Sequence, residues 1–142
     1  MFLPDVNIFI NAFRRDAAYH TLCKTWLDDI ANSDAGLAVS PLALSAVVRV
    51  VTNRRSFQNP SPLEEAFAFC ATVRGLENST RVEPGPGHWR IFQSLCVDNN
   101  IRGPLVTDAW YAALAIEWNC ELVSLDRDFA RFPGLRWSVP SA

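Results

Sequence analysis

Lysine is nearly missing from this 142-residue chain: of thirteen basic residues only Lys24 is one, and the rest are arginines. A large charge of either sign is missing too, because fifteen acids leave a formal net charge of -2. No global field therefore draws the chain onto nucleic acid or a membrane, and any polyanion has to be held by local patches. Arginine suits such patches through bidentate phosphate contacts and base stacking, although a GC-rich genome produces the same bias. The four cysteines, Cys23, Cys70, Cys96 and Cys120, are spread one per segment and form no C-x-x-C pair, and the one histidine close to any of them, His20 three residues before Cys23, has no second cysteine beside it. That spacing argues against a zinc site or a redox motif and for buried cytosolic thiols. Internal repeats and low-complexity tracts are lacking, as are a basic leader with a cleavage site and any apolar stretch near the ~20 residues of a membrane span. These absences point to a cytoplasmic protein with no membrane partner.

Apolar material is abundant: 49% hydrophobic and 11% aromatic residues supply a core for a single domain over residues 1–142. Phe2 to Val6 reads as a first strand, followed by a helix through Ile8, Phe9, Ala12 and Phe13. Residues His20 to Ala31 place Leu22, Cys23, Trp26, Leu27 and Ile30 at helical spacing. Gly36 to Val39 is a second short strand, and Ser40-Pro41 supplies an N-cap with proline in the first turn of a helix running to about Thr52. Ser61-Pro62 repeats that signal, with Glu64 and Glu65 in the favourable first turn. Thr80 to Val82 reads as a third strand, His88 to Asn99 as a helix with Trp89 packed inward, and Thr107 as the cap of a helix from Asp108 to about Asn119. Glu121 to Leu125 and Leu135 to Val139 complete the strands. Strands alternating with helices predict a layered α/β fold with a mostly parallel sheet of four to five strands.

In a parallel sheet, ligands bind at the C-terminal strand edge, and aspartates recur where strands end here. Asp5 closes the first strand, while Asp126 and Asp128 close the apolar run 122–125 in "LVSLDRDF". Capping explains Asp126 and Asp108 equally well on local grounds, since acids favour turns and helix N-termini. Asp5, lying between strand residues and Val6, Ile8 and Phe9, has no evident turn to cap, and a buried unpaired carboxylate is expensive. If Asp5, Asp108 and Asp126 converge, their mutual repulsion calls for a cation. Hard oxygen donors favour Mg²⁺ or Mn²⁺ over zinc. Such an ion activates water and stabilises a departing oxygen at a phosphodiester, which is nuclease chemistry.

The segments "FLPDVNIFINAF", "TNRRSF" and "VTDAWYAALAIEWNCELVSLDRDFARF" together resemble the PIN-domain ribonucleases, specifically the VapC toxins of bacterial VapBC toxin–antitoxin pairs, over essentially the whole chain. The resemblance implies a three-layer α/β/α sandwich and a Mg²⁺-dependent endoribonuclease, with Mn²⁺ as a plausible substitute, acting on transfer RNA or a ribosomal RNA loop. It also implies a homodimer and a VapB-type antitoxin that forms a heterotetramer or larger complex, with DNA contacted only through the antitoxin. Carried over residue by residue, Asp5, Asp108 and Asp126 match the metal-binding acids and Asp128 an auxiliary acid. Asn7 matches a polar position near the site, and Thr107 a hydroxyl beside the metal shell. For RNA, the basic candidates are Arg14, Arg15, Arg54, Arg55 and, between the acids, Arg127, all suited to positioning phosphates without reading sequence.

Two departures motivate a competing expectation. Many relatives carry a glutamate three residues before the arginine matched by Arg49, where this chain has Ala46, and Pro4 cannot donate to a central ladder just before Asp5. A missing ligand weakens a second metal position, and a distorted strand lowers metal affinity; the alternative is a PIN scaffold that binds RNA or antitoxin but cleaves feebly. A phosphotransfer protein fits less well. Haloacid-type phosphatases want D-x-D where the third residue here is Asn7, and response receivers want a late lysine where the only lysine is Lys24.

Overall fold

The computed structural model describes residues 1–141. In chain order the elements are β1 (Phe2–Pro4), α1 (Val6–Phe13), α2 (His20–Ala31), β2 (Leu37–Val39), α3 (Pro41–Val51), α4 (Leu63–Arg74), β3 (Ser79–Arg81), α5 (His88–Asp98), α6 (Leu105–Glu117), β4 (Glu121–Val123), a 3₁₀ turn (Arg127–Arg131) and β5 (Trp137–Ser138). The strands form one sheet in the order β3-β2-β1-β4-β5 with every neighbouring pair parallel. Five parallel strands joined by helices are the α/β architecture that the alternating pattern predicts. Among the described residues no helix is long and apolar enough to cross a membrane.

Side chains alternate across the pleat, and the alternation sorts the core into two layers. Leu3, Ala38 and Leu122 pack with α6 and with Phe129 and Phe132 of the C-terminal segment. Their strand neighbours Leu37, Val39 and Val123 pack on the other side with Ile8 and Phe9 of α1 and Leu44 and Val47 of α3. In α6, residues Ala109, Ala112, Ala113 and Ala115 are all fully buried. Their small side chains let the helix approach the sheet closely, as the alanine run suggests. Buried Cys23, Cys70 and Cys120 have thiol pKa values raised chiefly by desolvation, Cys23 to about 11, so these groups stay protonated and inert.

Pro4 has a consequence narrower than a distorted strand. The Phe2 amide donates to Gly36 on the β2 side, and the Asp5 amide donates to Val123 on the β4 side at 2.8 Å. Amides alternate sides along a strand, so the Pro4 nitrogen, which has no hydrogen, faces β2. Accordingly β1 pairs with β2 through one residue pair, Phe2 with Leu37, but with β4 through three. The missing donor falls on the side away from the acids, and the pairing that carries Asp5 is intact. Replacing Pro4 with valine should change stability by no more than about 1 kcal/mol, a gained hydrogen bond being offset by a freer unfolded chain. Hydrogen exchange should then show a newly protected amide at position 4.

Candidate active site

Because all strands run the same way, the ends of β1 and β4, which are direct neighbours, deliver their following residues to one edge. Asp5 follows Pro4, and Ser124 and Asp126 follow Val123. Asp5 does have something to cap. The chain leaves β1 at Pro4 rather than Val6, and Asp5 becomes the N-cap of α1, its Oδ1 accepting from the Val6 amide at 2.7 Å. Asp126 likewise caps the 3₁₀ turn, accepting from the Asp128 amide at 2.8 Å. Capping and site membership thus coincide at both positions.

The link between the two acids is Ser124, which sequence reading passed over. Fully buried, it donates to Asp5 Oδ2 at 2.8 Å and accepts from Asn7 Nδ2 at 3.2 Å and from the Asp126 amide at 3.0 Å. Asn7 completes the knot, donating to Asp5 Oδ2 at 3.3 Å and accepting from the Leu125 amide at 3.2 Å. A hydroxyl set inside the apolar run "LVSL", where a strand ends, was the available signal.

Asp108 enters from α6. That helix starts at Leu105, after Gly103 at φ 61° turns the chain, so Thr107 lies inside the first turn rather than capping it. The Thr107 side chain is exposed and makes no hydrogen bond among the described residues. Asp108 is half-buried, and no hydrogen bond or ion pair engages its carboxylate among the described residues. Its pKa is pushed up to about 6, first by desolvation, then by the charges of Asp5, Asp126 and Asp128, with Arg131 opposing. Asp5 is also raised, mainly by burial and partly by Asp126, against the lowering hydrogen bonds from Ser124 and Val6. One turn along α6, the Tyr111 phenol is pushed to about 12 by burial and the Asp5 charge, with Arg49 opposing. Tyr111 and Arg131 therefore belong to the same surroundings. Arg131 also donates to the Asp128 carbonyl at 3.1 Å and sits 3.5 Å from its carboxylate.

The acids share one electrostatic environment, yet a ready three-carboxylate cage is not formed: among the described residues no three Asp, Glu, His or Cys side chains are placed to hold one ion. Capping is the physical reason, since Asp5 and Asp126 each turn an oxygen toward a backbone amide. The donor set still suits Mg²⁺, which keeps several waters and is held through one or two carboxylates together with substrate phosphate. Asp108, a crowded carboxyl with no counter-charge bonded to it, is the group an ion would relieve most.

The basic candidates divide. Arg14 is occupied within the fold: it bonds Ser61 Oγ at 2.9 Å, pairs with Asp16 at 2.6 Å and lies 4.2 Å over the Phe57 ring. Arg14→Ala should lower stability by about 1 kcal/mol through the lost stacking and the bond to buried Ser61. Thermal melts should register this while the salt dependence of RNA binding stays unchanged. Arg15, Arg54, Arg55 and Arg127 are exposed and make no ion pair among the described residues. The inward placement expected for Trp89 reverses. His88 is buried, its Nε2 3.0 Å from the Trp110 carbonyl, whereas Trp89 is 67% exposed. Trp118 is partly exposed at the surface, donating to the Glu83 carbonyl at 2.9 Å.

A PIN domain family profile matches residues 2–135. Over 140 residues the chain is 40% identical to Ribonuclease VapC25 and to Ribonuclease VapC31 of Mycobacterium tuberculosis, in each case covering 99% of both sequences. Among solved structures, VapBC2 from Rickettsia felis, bound to a DNA fragment from its promoter, superposes with a TM-score of 0.73 at 16% identity, over 99% of this chain and 98% of that one. At that identity the likeness is one of fold.

Proposed function

The chain belongs to the PIN-domain family of VapC ribonucleases, and from that premise we propose that it is the toxin of a toxin–antitoxin pair, a Mg²⁺-dependent endoribonuclease that cuts structured RNA such as transfer RNA or a ribosomal RNA loop. The observation that carries this reading is the Asp108 carboxyl, pushed up to about 6 by burial and three neighbouring acids at the sheet edge where Asp5 and Asp126 emerge. Asp108, Asp5 and Asp126 would hold the ion, with Asp128 and its Arg131 contact beside them. When bound, the ion supplies Lewis acidity toward water and a phosphoryl oxygen and offsets the crowded negative charge.

The remaining steps fall to the protein's own groups. Ser124 and Asn7 hold the Asp5 carboxylate in one orientation, so that it need not reorganise when substrate arrives. Asp108 and Asp126 present free oxygens to accept hydrogen bonds and align a water with the scissile phosphate. Exposed Arg127, together with Arg15, Arg54 and Arg55, is suited to hold flanking phosphates. A VapB-type antitoxin, a homodimeric working unit, assembly with antitoxin into a heterotetramer or larger complex, DNA contact only through the antitoxin, and action in the cytoplasm complete the proposal, and the kinship with VapC proteins supports them. Mn²⁺ should substitute for Mg²⁺, since both accept oxygen ligands.

A second reading, a scaffold that binds RNA or antitoxin with feeble cleavage, is favoured by one observation, the lack of a preformed three-acid cage among the described residues, and is consistent with Ala46 at the position where many PIN-domain ribonucleases carry a glutamate. Mapping of RNA ends after incubation with the protein, with and without Mg²⁺, separates the two. Site-specific cuts that vanish with chelator and with Asp5→Asn support the nuclease. Equal end patterns from both proteins would establish the scaffold.

A further inference from the structure

Tyr111 carries a hydroxyl that the fold does not use. The residue is only 5% exposed and belongs to the core beneath α6, and its ring meets Trp110 edge-on, centroids 5.2 Å apart. Phenylalanine would fill that space equally well, and the O–H of a buried tyrosine usually finds a partner. Here it makes no hydrogen bond among the described residues, yet it is not sealed in, because the one buried side-chain polar atom left without a partner among them is Asn78 Oδ1. The hydroxyl therefore reaches solvent at the rim of the core. Two relations fix which rim. Tyr111 follows Asp108 by one turn on the same side of α6, and the charges of Asp5 and Arg49 both act on the phenol.

Arg49 is equally unengaged. It is exposed and forms no ion pair among the described residues. Helix α3, which carries it, shares a core layer with α1, whose N-cap is Asp5, so Arg49 flanks the acids from the α3 side. One turn earlier on the same helix face stands Ala46, where the glutamate of many PIN-domain ribonucleases would pair with the arginine three residues on. Alanine leaves that flank with an unneutralised positive charge and room beside it. We infer that Tyr111 and Arg49 hold the scissile phosphate from the α3 side, Arg49 through charge-assisted hydrogen bonds to its non-bridging oxygens and Tyr111 by donating to the oxygen on which charge builds during attack. In that step a water oxygen bonds to phosphorus and the bond from phosphorus to one ribose oxygen breaks. One proton passes from the water to solvent and another from solvent to the departing oxygen. Tyr111 keeps its proton throughout, since its phenol is pushed up to about 12 and remains a donor at neutral pH.

This assignment rests on the nuclease reading above, and the experiment separates their failures. The probe is a bacterial transfer RNA pool, cut by the full chain with Mg²⁺. Tyr111→Phe should lower kcat at least about 10-fold and leave KM within about twofold, because its hydrogen bond strengthens as charge develops. Arg49→Ala should raise KM about 10-fold, and Arg49→Lys, which keeps the charge, should recover part of that loss. Circular dichroism melts of all three should stay within a few degrees of the original, since neither group bonds within the chain. Binding of the same RNA is measured in the Asp108→Asn background, where cleavage is removed. There, added Arg49→Ala should reduce the salt dependence by about one phosphate contact, and added Tyr111→Phe should weaken binding about 3-fold. An unchanged kcat in Tyr111→Phe overturns the role of Tyr111, and an unchanged KM and salt dependence in Arg49→Ala overturn that of Arg49. A chain that cuts no RNA, yet binds it less well after either substitution, overturns the nuclease reading and supports the phosphate contact. A chain that neither cuts RNA nor responds in binding overturns both.

Discussion

Replacing Asp108 with asparagine is expected to remove RNA cleavage and, at neutral pH without divalent ions, to make the protein more stable. The two effects share one cause. A carboxyl whose folded-state pKa is raised from 3.8 to about 6 is harder to ionise in the folded chain than in the unfolded one. Between those values the folded state holds more protons at this group, so the contribution of Asp108 to stability is most favourable below about pH 4 and falls as pH rises toward 6 and slightly beyond. Asp5, raised in the same direction, adds to that slope. Asp108 is only half-buried and solvent screens it, so the loss attributable to it is about 1 kcal/mol, roughly 3 °C in thermal midpoint for a chain of this size. Asparagine keeps the shape without the charge and should flatten this part of the pH slope. Activity should fall by at least about 100-fold, the scale seen when a metal-site group is lost. Melts from pH 4 to 8 with chelator, repeated with Mg²⁺, provide the check. In the original protein Mg²⁺ should restore stability above pH 6, and in Asp108→Asn it should do so much less. A variant with unchanged melting and unchanged cleavage would remove Asp108 from the site.

Ser124→Ala is expected to cost more stability than any other change in the site, although the replaced residue does not itself titrate. Deletion of its hydroxyl removes the donor to Asp5 Oδ2, an acceptor for Asn7 and the acceptor for the Asp126 amide. All three bonds are part-buried around the fully buried Ser124, and buried groups left unpaired cost roughly 1–3 kcal/mol each before neighbours and water adjust. Local relaxation, chiefly Asn7 turning wholly to Asp5, should leave a net loss of about 2–3 kcal/mol, or roughly 5–10 °C. Cleavage measured well below the new midpoint should still fall about 10- to 100-fold, because Asp5 is no longer held in one orientation. Ser124→Thr keeps the hydroxyl and should recover much of the activity, although an added methyl in a fully buried position carries its own strain. If alanine and threonine variants lose activity only in proportion to unfolding, Ser124 supports the fold and does not orient Asp5.

The acids and the fold were legible in the chain because their signals are local. Asp5 directly follows strand 2–4 and Asp126 comes three residues after strand 121–123, and the Ser40-Pro41 start of α3 and the helical period of α2 stand where sequence spacing predicts them. Boundaries carried less information. Val6 and Leu125 extend apolar runs that the backbone leaves early, because Asp5 and Asp126 cap the next element and divert the chain. Thr107 followed by Asp108 has the form of a helix start, yet the turn at Gly103 begins α6 three residues sooner, at Leu105. Trp89 faces solvent where an inward position is expected, and its neighbour His88 is buried instead, because a one-residue shift on a helix rotates a side chain by about 100°, and composition alone does not say which neighbour faces the core.

Sequence by itself determined the α/β class, the parallel strands and which carboxylates stand at strand ends, since periodicity and capping chemistry are properties of neighbouring residues. Tertiary structure alone decided that β1 and β4 lie side by side, that Ser124 ties Asp5 to Asp126, and that α6 sets Asp108 within their field. Those relations join positions more than a hundred residues apart, and they depend on strand order and helix approach, which packing of the whole core settles and no local stretch encodes.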